Sequence, residues 1–386
     1  MCKDVVRMAK IFLSPPYLSG SERKYVQEAF DTNWIAPLGP NVTGFEKEMG
    51  EYFGSPYPLA LSSGTAAIHL SLKYLGVKEG DIVFCSSFTF SGSCNAVLYE
   101  KAIPVFIDSE PESANMSPDA LRRAFRYYDE KGIRPAAVIV VDLYGRSAKW
   151  DEITAICKEY DTPILEDAAE ALGSRYKGEF CGNFGELGIF SFNGNKIITT
   201  SGGGMVLCKT EEQYKKMLFW ATQSKEPCLH YEHKEVGYNY RLSNICAGIG
   251  RGQLEILDKK LAMRARIADY YRKAFKDTPV SFFPDFSDCK SNNWITPVLI
   301  DPEYIKTNTE DICIEMNNRG IECRPTWKPM HCQPIFEGCN SFAHYENGKY
   351  HCEELYERGV CLPGGDALTD EQLDFIVHNL LDIIGL

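Results

Sequence analysis

Residues 59–70 read Leu59-Ala60-Leu61-Ser62-Ser63-Gly64-Thr65-Ala66-Ala67-Ile68-His69-Leu70. A short apolar run meets a polar glycine turn and then a stretch with Ala66, Leu70 and Leu75 at helical spacing, so strand passes directly to helix. The same alternation continues outward. Ile82 to Cys85, Val105 to Ile107, Ala137 to Val141 and Pro163 to Glu166 read as buried strands, each followed by polar or turn residues. From about Phe53 to Gly204 this is the pattern of an α/β protein, a mostly parallel sheet with helices on both faces. Ile189 to Phe192 and Gly204 to Cys208 enclose a turn and a glycine run, a strand-turn-strand pattern. About Leu254 to Phe275 is expected to form one long connecting helix, followed by strands at Trp294 to Ile300 and Ile321 to Arg324. The expected division is a large domain over 1–255 and a connecting helix with a small α+β domain over 256–386.

The bulk composition narrows the function classes. The 386 residues are 44% hydrophobic and 24% charged, enough to bury a full core. A formal net charge of -12 with no basic run argues against a nucleic-acid surface. The apolar stretch after Met1 to Lys10 stops at Pro15 and Pro16, and no window is long enough to span a bilayer, so a soluble cytoplasmic protein is expected. Fifteen cysteines scatter without close pairing, which suits small buried residues in a reducing compartment better than a disulfide or zinc framework. His230 and His233 lack a matching second ligand pair, so no metal is expected.

Three places could carry chemistry. Ser62 to Ala67 sits where a strand gives way to a helix, and the free N–H groups of a helix start can seat a phosphate; the same residues also describe a plain N-cap. Asp167 stands at the C-terminal end of a strand, where open α/β sheets place ligands; a helix cap reads the same way. Lys196 lies among Asn193, Gly194, Asn195 and Ile197, with no carboxylate beside it in the chain to fix its charge. That suits imine chemistry as well as it suits a surface turn.

Taken in order, these parts resemble the fold-type I pyridoxal-phosphate enzymes, and more narrowly the DegT/StrS-type nucleotide-sugar aminotransferases. The resemblance runs from about Phe12 to Leu362. It is carried by Phe12-Leu13-Ser14-Pro15-Pro16, Trp34-Ile35-Ala36-Pro37-Leu38-Gly39-Pro40, Ser86-Ser87-Phe88-Thr89-Phe90, Glu166-Asp167-Ala168-Ala169-Glu170, Ser191-Phe192-Asn193-Gly194-Asn195-Lys196, Gly237-Tyr238-Asn239-Tyr240-Arg241-Leu242-Ser243 and Arg324-Pro325-Thr326-Trp327.

The resemblance implies pyridoxal 5'-phosphate held covalently by Lys196, with pyridoxamine 5'-phosphate as its aminated form. Asp167 would pair with the ring nitrogen and Phe90 would cover a ring face. Gly64, Thr65 and Ser191 would hold the phosphate, joined by Asn239 from the second subunit of a homodimer with shared sites. Glu170 stands where many relatives carry His or Gln near the cofactor's phenolic oxygen. Together with the turn before Lys196 and the Trp34 stretch, it is similar to the bacillosamine-pathway transaminases. Those move the amino group of L-glutamate onto UDP-4-keto-6-deoxy-N-acetylglucosamine. Asn33, Trp34, Ile35, Ala36 and Asn193 would then line the sugar end, with Arg324, Trp327 and His331 toward the nucleotide. The rivals are a GDP- or dTDP-4-keto sugar as acceptor, a sugar dehydratase (against which Lys196 argues), a cysteine-based lyase using Cys85, Cys94 or Cys181, and a non-catalytic protein of the same fold.

Overall fold

A computed structural model describes residues 10–284 and 286–386, and most of the opening stretch Met1 to Lys10 lies outside the described residues. Seven strands build the main sheet: β1 Tyr57–Leu61, β2 Ile82–Ser86, β3 Ile103–Ile107, β4 Ala137–Val141, β5 Ile164–Asp167, β6 Leu187–Ser191 and β7 Gly204–Cys208. An eighth, Ser341–Phe342, joins the far edge beside β3, so a strand from beyond residue 255 completes the large sheet. The order across the sheet is β1, β7, β6, β5, β4, β2, β3 and that edge strand. Only β7 runs against its neighbours; the others are mutually parallel. The architecture is the α/β, mostly parallel sheet expected of fold-type I.

The sheet is covered on both sides, which explains why its strands are continuous apolar runs. Along β4 the side chains alternate between two cores. Ala137 and Ile139 pack with Leu70, Cys94 and Val97, which come from helices Gly64–Tyr74 and Ser91–Tyr99. Val138 and Val140 pack with Phe125 and Ile153, from helices Pro118–Asp129 and Trp150–Glu159. A second sheet of four antiparallel strands, Val280–Phe282, Thr296–Ile300, Gly359–Leu362 and Arg324–Pro325, packs under helices Leu257–Ala274, Thr309–Asn318 and Asp370–Ile384.

Three sequence expectations are corrected. The helix expected from Leu254 starts later: Asn244–Leu254 is a helix of its own and Leu257–Ala274 is the expected long one, the two separated at Ile256, whose φ is −115°. The first escaped notice because glycine is a poor helix former. Those glycines serve close packing: a Cβ at Gly252 would come within 2.5 Å of the Glu22 backbone on helix Ser21–Asp31. The strand expected from Trp294 starts at Thr296, because the Trp294 N–H is taken by Asn292 Oδ1 at 2.9 Å. The strand expected over Ile321 to Arg324 is Arg324–Pro325, while Ile321 bridges Ile11 instead. Among the described residues no helix is long and apolar enough to cross a membrane.

Candidate active site

Parallel strands end at one edge of the sheet, and the chemistry-bearing residues follow from that. β1, β5 and β6 deliver Ser62, Asp167 and Ser191 there, and β7, running the other way, begins there at Gly204. A Cβ on Gly204 would come 2.3 Å from the Ser63 carbonyl carbon and 2.4 Å from Gly64 N, so only glycine lets β7 pass this close to the turn. Ser63 is extended and caps the next helix, its Oγ accepting from Ala66 N–H at 3.0 Å. The first helical residues, Gly64 and Thr65, face the same cleft as Ser191, Gly202 and Gly203. Hydroxyls and helix-start N–H groups thus converge at one place, the chemistry that binds a phosphate.

Asp167 is 3% exposed. Its Oδ2 accepts from the Ser93 hydroxyl at 2.6 Å and its Oδ1 from Ala169 N–H at 3.1 Å. Burial raises its pKa above the usual carboxylate range, while these donors and the charge of Lys196 act the other way. Glu170, also buried, accepts from Tyr144 N–H at 2.8 Å. Its pKa too is raised by burial, against the charge of Lys196 and the Tyr144 N–H. Glu170 Oε1 lies 3.5 Å from Lys196 Nζ. This corrects the expectation that the lysine's surroundings lack a carboxylate: the chain neighbours do lack one, and the fold supplies it. The Lys196 amine also stands 4.0 Å from the centroid of the Trp294 ring.

These groups line a cleft of about 210 Å³. Phe90, 57% exposed, forms its wall with Trp327, their ring centroids 5.7 Å apart. Asn193 also lines it. The Trp327 backbone N–H is held by the Tyr144 hydroxyl at 2.8 Å, and its Nε1 is buried with no acceptor among the described residues. The volume is below the roughly 300–1,000 Å³ of pockets that enclose drug-sized ligands. The expected nucleotide-linked sugar would therefore have to extend past this mouth.

Other expected site residues lie outside the cleft. The backbone of Asn33 to Ala36 is fixed by Asn244, which donates to the carbonyls of Trp34 at 2.7 Å and Ala36 at 3.0 Å, while Trp34 and Ile35 are exposed. Asn239 is exposed and bridges Thr222. Arg324, expected toward the nucleotide at the mouth, pairs with Glu322 at 3.1 Å. His331, expected to reach a ligand, is enclosed: its ring contacts Ser87 Oγ at 2.6 Å and Glu353 at 2.8 Å and stacks on Tyr350. Sequence reasoning missed Ser93, Tyr144 and Trp294. Ser93 follows Phe90 by three in a helix start and could have been found there; Trp294 is remote in the chain and left no local signal.

The rival chemistries find less support. Cys94 and Cys181 are fully buried, and burial pushes both thiols well up, away from the reactive thiolate. Cys85 is buried against Cys94, their sulfurs 3.2 Å apart. His230 falls beside Cys228 and Glu232 on the surface, whereas the His233 ring bonds the Gln223 carbonyl, so the two histidines do not form a pair.

The sequence profile of the DegT/DnrJ/EryC1/StrS aminotransferase family matches residues 16–381. EpsN of Bacillus subtilis (strain 168), which carries the assignment of a pyridoxal phosphate-dependent aminotransferase, is 50% identical over 375 residues, 97% of this chain and 96% of that one. GDP-perosamine synthase of Escherichia coli O157:H7 is 34% identical, covering 95% of this chain and 96% of its own. A UDP-4-amino-4,6-dideoxy-N-acetyl-beta-L-altrosamine transaminase of Campylobacter jejuni serotype O:2 is also 34% identical, over 90% of each chain. The crystal structure of a DegT DnrJ EryC1 StrS aminotransferase from Brucella abortus superposes with a TM-score of 0.86 at 28% identity, over 95% of this chain and 96% of that one.

Proposed function

The chain belongs to the DegT/DnrJ/EryC1/StrS aminotransferase family, and on that premise we propose that it transfers the amino group of L-glutamate to carbon 4 of UDP-4-keto-6-deoxy-N-acetylglucosamine. The product is UDP-4-amino-4,6-dideoxy-N-acetylglucosamine. The observation that carries the reading is the Lys196 amine in a cleft that also holds buried Asp167 and the helix start at Gly64.

The donor set fits pyridoxal 5'-phosphate. Gly64, Thr65 and Ser191 would take its phosphate, Asp167 its ring nitrogen, Phe90 a ring face and Lys196 its aldehyde carbon. When bound, that cofactor supplies an electron-withdrawing ring through which an amino group passes from an amino acid to a ketone. Asp167 suits a cationic partner, because burial alone disfavours its ionised form and a protonated ring nitrogen beside it restores the carboxylate. Lys196 Nζ is the one amine that lines the cleft among the described residues, so covalent attachment and proton transfer both fall to it. Glu170 Oε1 is placed to hold a proton released from that amine.

The sugar end is completed by a second copy of the chain. Asn33 to Ala36 and Asn239 stay out of their own cleft, while Trp34, Ile35 and Leu38 leave apolar surface exposed beside them. In this homodimer Asn239 reaches the neighbouring protomer's phosphate. The UDP acceptor is supported by the resemblance at Glu170 and the Trp34 stretch; the GDP-linked relative makes a GDP sugar the rival. Turnover of purified enzyme with glutamate and UDP-, GDP- and dTDP-4-keto sugars decides between them. The UDP sugar is expected to give the highest kcat/KM, and a higher value for either of the others overturns the acceptor.

A further inference from the structure

Behind the cleft lies a second group of charged side chains for which the reaction has no evident use. Lys260 and Arg264, one turn apart on helix Leu257–Ala274, are each 1% exposed. Both face Asp366, which is buried as well. Arg264 grips this carboxylate with two donors, Nε to Oδ1 at 2.8 Å and Nη2 to Oδ2 at 3.3 Å, and Lys260 Nζ stands 3.8 Å from Oδ2. Two cations share one carboxylate, so donors are left over.

The surplus donors point at the backbone around Lys196. Lys260 Nζ donates to the Ile197 carbonyl at 3.2 Å and to Gln253 Oε1 at 2.6 Å. Arg264 Nη1 donates to Ser14 Oγ at 3.2 Å and to the Trp294 carbonyl. The Ser14 hydroxyl passes the contact on to the Asn195 carbonyl at 2.8 Å, and the Trp294 indole N–H donates to that same oxygen at 2.6 Å. The carbonyls on both sides of Lys196 are therefore held from behind, and the ring facing its amine is tied to the same guanidinium.

Burying a lysine and an arginine is expensive, and apolar side chains of similar volume can hold two layers together as firmly. A pair of buried cations spent on the carbonyls flanking one residue has a more specific use. We propose that Lys260 and Arg264 are positioning residues for Lys196, fixing the turn of backbone from which its amine enters the cleft. Burial lowers the Lys260 pKa to about 8, with Arg264 adding to the lowering and Asp366 and Glu22 opposing it. At neutral pH it keeps its charge, favoured by the carboxylates of Asp366 and Glu22.

The direct test is amide hydrogen exchange on the full chain freed of cofactor, which does not depend on the proposed reaction. Lys260→Met keeps the volume, leaves Arg264 and Asp366 paired and removes the donor to Ile197. Exchange over residues 193–200 should speed up by about ten-fold, while the β4 amides stay within about two-fold of wild type. Lys260→Arg, which keeps a donor in reach, should recover most of the protection. Ser14→Ala leaves Lys260 in place and breaks the Arg264–Ser14–Asn195 relay, and it should give about three-fold in the same direction; it decides the matter if Lys260→Met fails to fold. A second readout rests on Lys196 as the cofactor-bearing residue. The pH midpoint of the visible band of the pyridoxal-phosphate-loaded enzyme should shift in Lys260→Met by about half a unit or more. Unchanged exchange over 193–200 in the folded variants overturns the proposal, as does faster exchange with an unmoved midpoint and unaltered kcat. A wild-type chain that shows no visible band would instead overturn the proposed function and leave the exchange result standing.

Discussion

The cleft and its rim were equally conspicuous as sequence, yet the fold treats them differently. Gly64, Asp167, Ser191 and Lys196 come together because strands of one sheet end at one edge, and their positions are enforced by burial and by contacts such as Ser93 to Asp167. Asn33 to Ala36, Asn239, Arg324 and His331 stay outside, exposed or engaged with other side chains. The cofactor half of the site is thus a property of a single sheet. On the proposed function, the sugar half would be left to surfaces outside this cleft of about 210 Å³, with a second copy of the chain closing them.

The difference is sharpest at Lys196. Lys196→Ala removes the amine that lines the cleft, so turnover should fall to background while the chain stays folded. Normal activity in that variant would sink the aminotransferase reading at its centre. Asp167→Asn keeps the size and the Ser93 contact but removes the charge, and it should lower kcat by about 10²–10⁴-fold, the range for losing a positioned group that controls protonation. A fully active Asp167→Asn that only melts earlier would reduce Asp167 to a structural cap. At the rim, inactive Lys196→Ala chains mixed with impaired Asn239→Ala chains should regain some turnover, because one hybrid cleft has both residues. No rescue in proven heterodimers would place Asn239 in the cleft of its own chain.

Glu170 gives a smaller effect with a defined sign. Its native pKa is raised by burial, so as pH rises through the ordinary carboxylate range the unfolded chain releases this proton first. Stability of the cofactor-free chain is fully favoured below that range, is lost as pH climbs to the raised native value, and then levels off. Each unit of elevation corresponds to about 1.4 kcal/mol. Glu170→Gln still accepts from Tyr144 N–H and does not titrate, so its melting temperature should fall less over that window than the wild type's. Asp167, raised in the same direction, keeps the curve from becoming flat. A steeper decline in the variant would mean that Glu170 is held ionised by Lys196.

How legible each part was follows from the range of its contacts. The strands and the glycine turn were readable because apolar runs and a Ser63 cap are local signals. Lys196 was readable as a candidate, but its carboxylate partner, its facing Trp294 ring and the braces from Ser14, Lys260 and Arg264 come from distant segments with no pattern around Lys196 to announce them. Helix Asn244–Leu254 was hidden for a related reason. Its glycines look like loop residues until helix Ser21–Asp31 is packed against them. At Arg324 the sequence shows a cation near a strand end, but not that its side chain rests on Glu322 two residues before it.

Arg324 therefore carries the smallest expected effect and the cleanest check on the rim. Its side chain is 56% exposed and its partner Glu322 is held from the other side by Leu13 N–H at 3.1 Å. An exposed pair of this kind contributes about 0–1 kcal/mol, since water screens the charges and two long side chains must be ordered. Arg324→Ala should change the melting temperature by no more than a degree or two, about what such a pair allows. Single-turnover measurements should show amination of the cofactor by glutamate and the keto-sugar half-reaction each within about two-fold of wild type, the scale of a lost solvent-screened contact. A selective loss in the keto-sugar half-reaction would show that Arg324 leaves Glu322 when the nucleotide arrives, and would return it to the binding surface. A selective loss with glutamate would assign it to the donor's carboxylate instead, and either result would break the contrast between an enforced cleft and an unengaged rim.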